Sequence, residues 1–173
     1  MNSASRDEMA DTTFEAMIQV DMEIHAFLSN WRHCDFISSY LARMISHNTS
    51  DSVRHSNLFS AAFNELLEVA FRTRHPGGEL ACKISRCGAS DRIELLIPCT
   101  EEERQFYVDA VRRIEASEGG ERYLNSVSGD LAPSRGIVLL ELAIDYNATL
   151  RLEEVDPETI RLVVDLPLEG LPH

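Results

Sequence analysis

Apolar residues recur at helical spacing in some stretches of the chain and at every second position in others. Between Phe14 and Trp31 the pattern "FEAMIQVDMEIHAF" is mixed, and it admits a strand that turns into a helix. From Phe36 to Ile45, "FISSYLARMI" places Phe36, Tyr40 and Met44 on one face, which predicts a helix. The polar break "SHNTSDS" ends it and offers Asp51 or Ser52 to cap the next element. A long helix is predicted from about Val53 to Arg74, stopped by His75-Pro76-Gly77-Gly78. After the glycines the period becomes that of a strand. "ELACKISR" alternates Leu80, Cys82 and Ile84, "DRIELLIP" alternates Ile93, Leu95 and Ile97, and "CGAS" joins them as a β-hairpin. Thr100 and Glu103 form a capping box that opens a helix running to about Ser117. The glycine- and serine-bearing segment from Glu118 to Gly136 is a long connection, of a length that is usually functional or disordered. Gly136 to Tyr146 reads as a short apolar helix, and "ATLRLEEV" and "TIRLVVDLP" as a second hairpin turning at Asp156-Pro157.

Hairpins with helices covering one face predict an α+β fold, a two-layer sandwich with a mixed, mostly antiparallel sheet. The expected organisation is a disordered lead over residues 1–12 and a single domain over 13–173, with a helical N-terminal part at 14–49 and a core over 53–167.

Placed at ~100° per residue, the long helix sorts into an apolar arc and a polar side. Phe59, Phe63, Leu66, Leu67 and Ala70 cluster, with Phe71 on one flank and Val69, Leu58 and Ala62 on the other. Asn64, Glu68 and Arg72 lie opposite, so Glu68 is expected at the surface with Arg72 one turn on. Glu65 falls at the edge of the arc. Either its stem packs while its head stays in water, or its carboxylate faces a pocket between this helix and the following segment.

Charge narrows the partners. The 173 residues carry a net charge of −13, which argues against nucleic acid and against anionic membranes. No apolar run approaches the roughly 20 residues of a membrane span, and the N-terminus lacks the basic and apolar segments of a signal peptide, so a cytoplasmic location is expected. Cys34, Cys82, Cys87 and Cys99 show no C-x-x-C spacing and are expected as reduced thiols in the core. The six histidines form no metal-binding spacing.

"NELLEVAF" followed by "SRGIVLLELAIDYNATL" resembles the N-box and the later glycine-bearing region of GHKL (histidine-kinase-like) ATPase domains. The likeness is to the bacterial anti-sigma-factor and serine-kinase branch that works by partner switching, and within it to small stand-alone regulators. With "CDFISSYLARMI" it spans about residues 34 to 166. The resemblance implies the GHKL two-layer fold and places Glu65 on the glutamate that positions or deprotonates the attacking group. It places Val69 where an asparagine oxygen would bind Mg²⁺, a cation that demands oxygen ligands. Where an Asp-x-Gly-x-Gly adenine motif is expected, the chain has "LIPCTEEERQ", with Pro98 and three acids, Glu101, Glu102 and Glu103. Of the phosphate-cradling G-x-G, Gly136 remains and Val138 replaces its partner, with Arg135 beside them as a phosphate ligand.

The resemblance with these departures implies a degenerate nucleotide site at Glu65, Val69, Arg135, Gly136 and Val138, with Glu65 left as a relic base. It implies no metal and no cofactor. The expected function is a pseudo-ATPase regulator in a partner-switching or biofilm/stress-type pathway, binding a STAS-domain antagonist, a response regulator or a sigma factor. The alternative is a divergent serine/threonine kinase that uses ATP, with Glu65 as base and Arg135 or Lys83 supplying phosphate contacts. Homodimerisation through Ile24, Phe27, Leu28 and Trp31 is a further expectation.

Overall fold

The computed structural model describes residues 13–72, 77–116 and 135–172. The lead expected to be disordered and nearly all of the connection from Glu118 to Gly136 therefore lie outside the described residues, as do Arg74 at the end of the predicted long helix and His75 and Pro76 of its terminator. The elements are β1 (Glu15–Glu23), α1 (Ile24–Leu28), α2 (Arg32–Ser46), α3 (Ser52–Phe71), β2 (Glu79–Cys87), β3 (Ser90–Pro98), α4 (Glu101–Ala116), α5 (Arg135–Asp145), β4 (Thr149–Asp156), β5 (Thr159–Leu166) and a 3-10 turn at Leu168–Gly170.

The fold is α+β. Among the described residues there is one five-stranded sheet, of order β1-β2-β3-β5-β4. Every neighbouring pair is antiparallel, which corrects the expectation of a mixed sheet. A second correction concerns the N-terminal part at 14–49. It opens as strand β1, paired with β2 from Glu15↔Arg86 to Glu23↔Glu79, and becomes helical only at Ile24. Its alternation of Ile18, Val20, Met22 and Ile24 points inward, but Phe27 and Leu28 continue the series at helical spacing and blur the period.

The two hairpins form as expected. Gly88, at φ +57°, takes the first place of the two-residue turn between Cys87 and Ser90, where a left-handed residue matches the strand twist. In the second hairpin Asp156 Oδ1 accepts the Glu158 amide at 2.8 Å and closes the turn over Pro157. One face of the sheet is apolar: Cys82, Leu95 and Leu162 lie in register across three strands, as do Ile84, Ile93 and Val164. These residues share one buried cluster with Phe59, Phe63, Leu66 and Leu67 of α3. The other face is laced by charges, with Arg92 paired to Asp165 through two hydrogen bonds (2.6 and 2.9 Å) and Lys83 3.7 Å from Glu94.

Asp51 caps α3, accepting the Arg54 amide at 3.0 Å. At α4 the capping box is complete: Thr100 N–H donates to Glu103 Oε2 at 2.9 Å, and Glu103 N–H donates to Thr100 Oγ1 at 3.3 Å. Asn147, at φ +49°, follows the end of α5 in the left-handed conformation that closes many helices. Helix α2 presents a face the sequence pattern did not anticipate. It packs on α3 through Cys34, Ser38, Leu41, Ala42 and Ile45, while Phe36, Tyr40 and Met44 point to solvent. Of the expected dimer residues, Ile24 is fully buried and Phe27 stacks on Phe71 with ring centroids 4.4 Å apart, so both belong to the core. Leu28 and Trp31 stay partly exposed.

Candidate functional site

Helix α3 carries two unlike polar positions, one near each end. At the C-terminal end lies the position the sequence singled out. Glu65 is half-buried and turned toward α5, where Glu141 and Asp145 stand close enough to act on it. Burial, then these two carboxylates, then Glu68, hold its carboxyl above the ordinary glutamate value. The Tyr146 hydroxyl, just past α5, is raised as well, first by burial and then by Glu65 and Asp145. Glu65 is half-buried, as a residue at the edge of the arc is, and the element whose charges reach it is α5 rather than the segment that directly follows α3. What it meets there is further negative charge.

One turn on, Val69 is 2% exposed and belongs to the core cluster. Its isopropyl group is enclosed by hydrocarbon. Glu68 stands where expected, 3.5 Å from Arg72 and accepting a hydrogen bond from Asn64 Nδ2 at 2.9 Å. Gly136 and Val138 lie on α5, both part-buried; Arg135 opens that helix, and its side chain is outside the described residues. Lys83 alternates with the inward Cys82 and Ile84 and is therefore on the far face of the sheet from α3, away from Glu65. That removes it as a phosphate ligand in the Glu65 region.

At the segment "LIPCTEEERQ" β3 runs to Pro98 and α4 begins at Glu101. Its first turn holds Glu101, Glu102 and Glu103, so the positive end of the helix dipole is answered by the chain's own carboxylates. Glu103 is 7% exposed and committed to the cap, with its second oxygen lacking a hydrogen-bond partner. Among the described residues no group of three or more His, Cys, Asp or Glu side chains is placed to hold a metal ion.

The N-terminal end of α3 holds a constellation that the sequence reading passed over. His55 is 4% exposed and Asp91 is 1% exposed. His55 Nε2 donates to Asp91 Oδ2 at 2.6 Å, and Ser46 Oγ is 2.7 Å from His55 Nδ1. Arg86 Nε donates to Asp91 Oδ1 at 2.6 Å, and Arg86 Nη2 lies 3.2 Å from His55 Nε2. Four residues thus tie the end of α2, the start of α3 and the β2–β3 hairpin into one chain of hydrogen bonds. The signal was available in the pattern. Extending the inward alternation Ile97, Leu95, Ile93 by one step reaches Asp91, and extending Leu80, Cys82, Ile84 by one step reaches Arg86. On α3, His55 sits one turn before Phe59 on the apolar arc.

A hydroxyl, an imidazole and a carboxylate in series have the parts of a nucleophile relay. Here Ser46 is 1% exposed, which withholds its oxygen from a substrate, and Arg86 already neutralises the carboxylate that would stabilise an imidazolium. The arrangement is a fully paired polar clamp.

Cys34 is pushed up to about 11, by burial and then by Glu68, and Cys82 to about 12, by burial and then by Glu94. Neither thiol is poised for nucleophilic chemistry at neutral pH. No helix among the described residues is long and apolar enough to cross a membrane. No protein-family model matches the chain, and no curated protein matches it.

Proposed function

We propose that this chain is a non-catalytic signalling regulator, a pseudo-ATPase of GHKL-like descent that acts by binding another protein. A STAS-domain antagonist, a response regulator or a sigma factor is the partner class that the resemblance implies. The observation that carries this reading is the state of α3 at positions 65 and 69. Val69 is 2% exposed within the apolar core, with no lone pair to offer a divalent cation. Glu65, one turn earlier, sits among Glu141, Asp145 and Glu68, which oppose the approach of a polyphosphate.

Mg-ATP does not fit these residues. The kinase alternative loses support from Lys83, which is on the far face of the sheet and paired with Glu94 at 3.7 Å. The purely antiparallel sheet departs from the mixed sheet expected of the family, so the likeness rests on the helical motifs rather than on strand topology.

The test is a titration of ATP, with and without Mg²⁺, by calorimetry and by thermal shift. No heat and no change in melting temperature up to ~1 mM nucleotide is the expected outcome, since a site with a Kd of ~10 µM would add about 2.7 kcal/mol at ~100-fold excess. Saturable micromolar binding overturns the reading.

A further inference from the structure

Helix α2 is apolar on two opposite sides, and among the described residues only one of them is covered. Phe36, Tyr40 and Met44, spaced four apart, are 67%, 61% and 50% exposed, whereas single scattered apolar residues are the norm on a monomer surface. The stripe continues past the helix: a notch of about 310 Å³ lined by Arg43, His47, Val53 and Asn57, among others, follows its C-terminal end, and Val53 there is 71% exposed.

The charges around the stripe reverse the sign of the whole chain. At ~100° per residue, His33, His47 and Arg43 all lie within about 60° of Tyr40, while the acidic Asp35 is rotated about 140° away. Arg32, also exposed, lies on the same side as Arg43. In a chain of net charge −13, this is a local concentration of cationic and titratable nitrogen around hydrocarbon. A second copy docked by the same face would set Arg43 and Arg32 against their own kind. The overall acidity opposes an anionic membrane. An acidic amphipathic segment meets both conditions: its apolar seam covers Phe36, Tyr40 and Met44, and its carboxylates meet Arg43 and Arg32.

We infer that the outer face of α2 docks an acidic amphipathic helix of a partner protein, with Phe36, Tyr40 and Met44 as anchors and Arg43 as the charge that selects it. This deepens the proposed protein-binding function and rests on that reading only for the partner's being a protein. Nucleotide binding is tested separately, so failure here leaves the pseudo-ATPase reading standing.

The experiment uses the full chain and three probes: a fluorescent amphipathic helical peptide with a leucine seam flanked by glutamates, the same seam flanked by lysines, and phosphatidylglycerol vesicles. The glutamate peptide is expected to bind with a Kd of ~10 µM, at least ~10-fold tighter than the lysine peptide, and more weakly as salt is raised. Tyr40→Ala is expected to weaken it about tenfold or more, and Arg43→Glu to invert the preference between the peptides. These side chains are exposed, so circular dichroism and melting temperature stay at wild-type values and exclude misfolding. Equal affinity for both peptides, no binding up to ~1 mM, indifference to Tyr40→Ala, or vesicle binding lost on the same substitutions each overturns the inference. So does a dimer, by light scattering, that Tyr40→Ala dissociates.

Discussion

His55 and Glu65 stand on the same helix and on or beside the same apolar arc, yet their surroundings are opposite. His55 is buried among partners of matching kind: a hydroxyl on one nitrogen, a carboxylate on the other, and a guanidinium to balance that carboxylate. Glu65 is half-buried among groups of its own sign. The first arrangement is what a polar group needs if it is to stay in a core, because every desolvated atom has a partner. The second is tolerated only because water still reaches it. A perturbed carboxylate on a motif-bearing helix is often taken to mark chemistry. Here the perturbation comes from burial and crowding by like charge, without the oxygen ligand at position 69 that would make use of it.

The contrast is most severely broken at the satisfied end. Asp91→Ala removes the carboxylate that both His55 and Arg86 contact and leaves two cation-forming groups facing each other in the interior. A loss of about 3–5 kcal/mol of stability is expected, read from urea denaturation as a lower midpoint at constant slope. Next in size is Val69→Asn, which places an amide among hydrocarbon at a 2% exposed position. It is expected to cost about 2–3 kcal/mol, and Mg-ATP is expected not to recover any of it in a thermal-shift assay. Recovery by Mg-ATP would mean that one substitution rebuilds the site, against the reading given above.

The smallest effect belongs to Glu65→Gln, and its sign is opposite. Glu65 holds its proton more tightly folded than unfolded, so the native state loses stability as pH rises from the ordinary value of 4.5 through the raised one. Glutamine removes that penalty. The variant is expected to melt about 1–2 °C higher at pH 7, a modest figure because the carboxylate is part-exposed and screened. The gap is expected to close toward pH 4; a gap independent of pH would assign the gain to packing instead.

Much of this architecture was legible because one period governed each segment. Both hairpins, the capping box at Thr100 and Glu103, the Asp51 cap and the arc of α3 follow from local spacing and turn chemistry. What escaped had three causes. In β1 the strand alternation Ile18, Val20, Met22, Ile24 runs into helical spacing at Phe27, so neither period dominates a short window. In α2 two stripes coexist, Cys34–Ser38–Leu41–Ile45 and Phe36–Tyr40–Met44; the spacing of the larger side chains marks a helix without saying which stripe packs, and the smaller ones allow close packing on α3. The His55 clamp escaped for a different reason. Its members are far apart in sequence and meet only when α3 lies across the hairpin; the inward alternation marks Asp91 and Arg86 as facing in, but not what they face.

The strand order has a consequence for how such a sheet is assembled. β2 and β3 find each other across a two-residue turn, whereas among the described residues β1 has no neighbour except β2, with Val20 opposite Cys82, about sixty residues further along. During synthesis β1 must therefore wait, unpaired, for an addition made much later. Its acids Glu15, Asp21 and Glu23 keep that waiting edge from recruiting a stranger in the meantime.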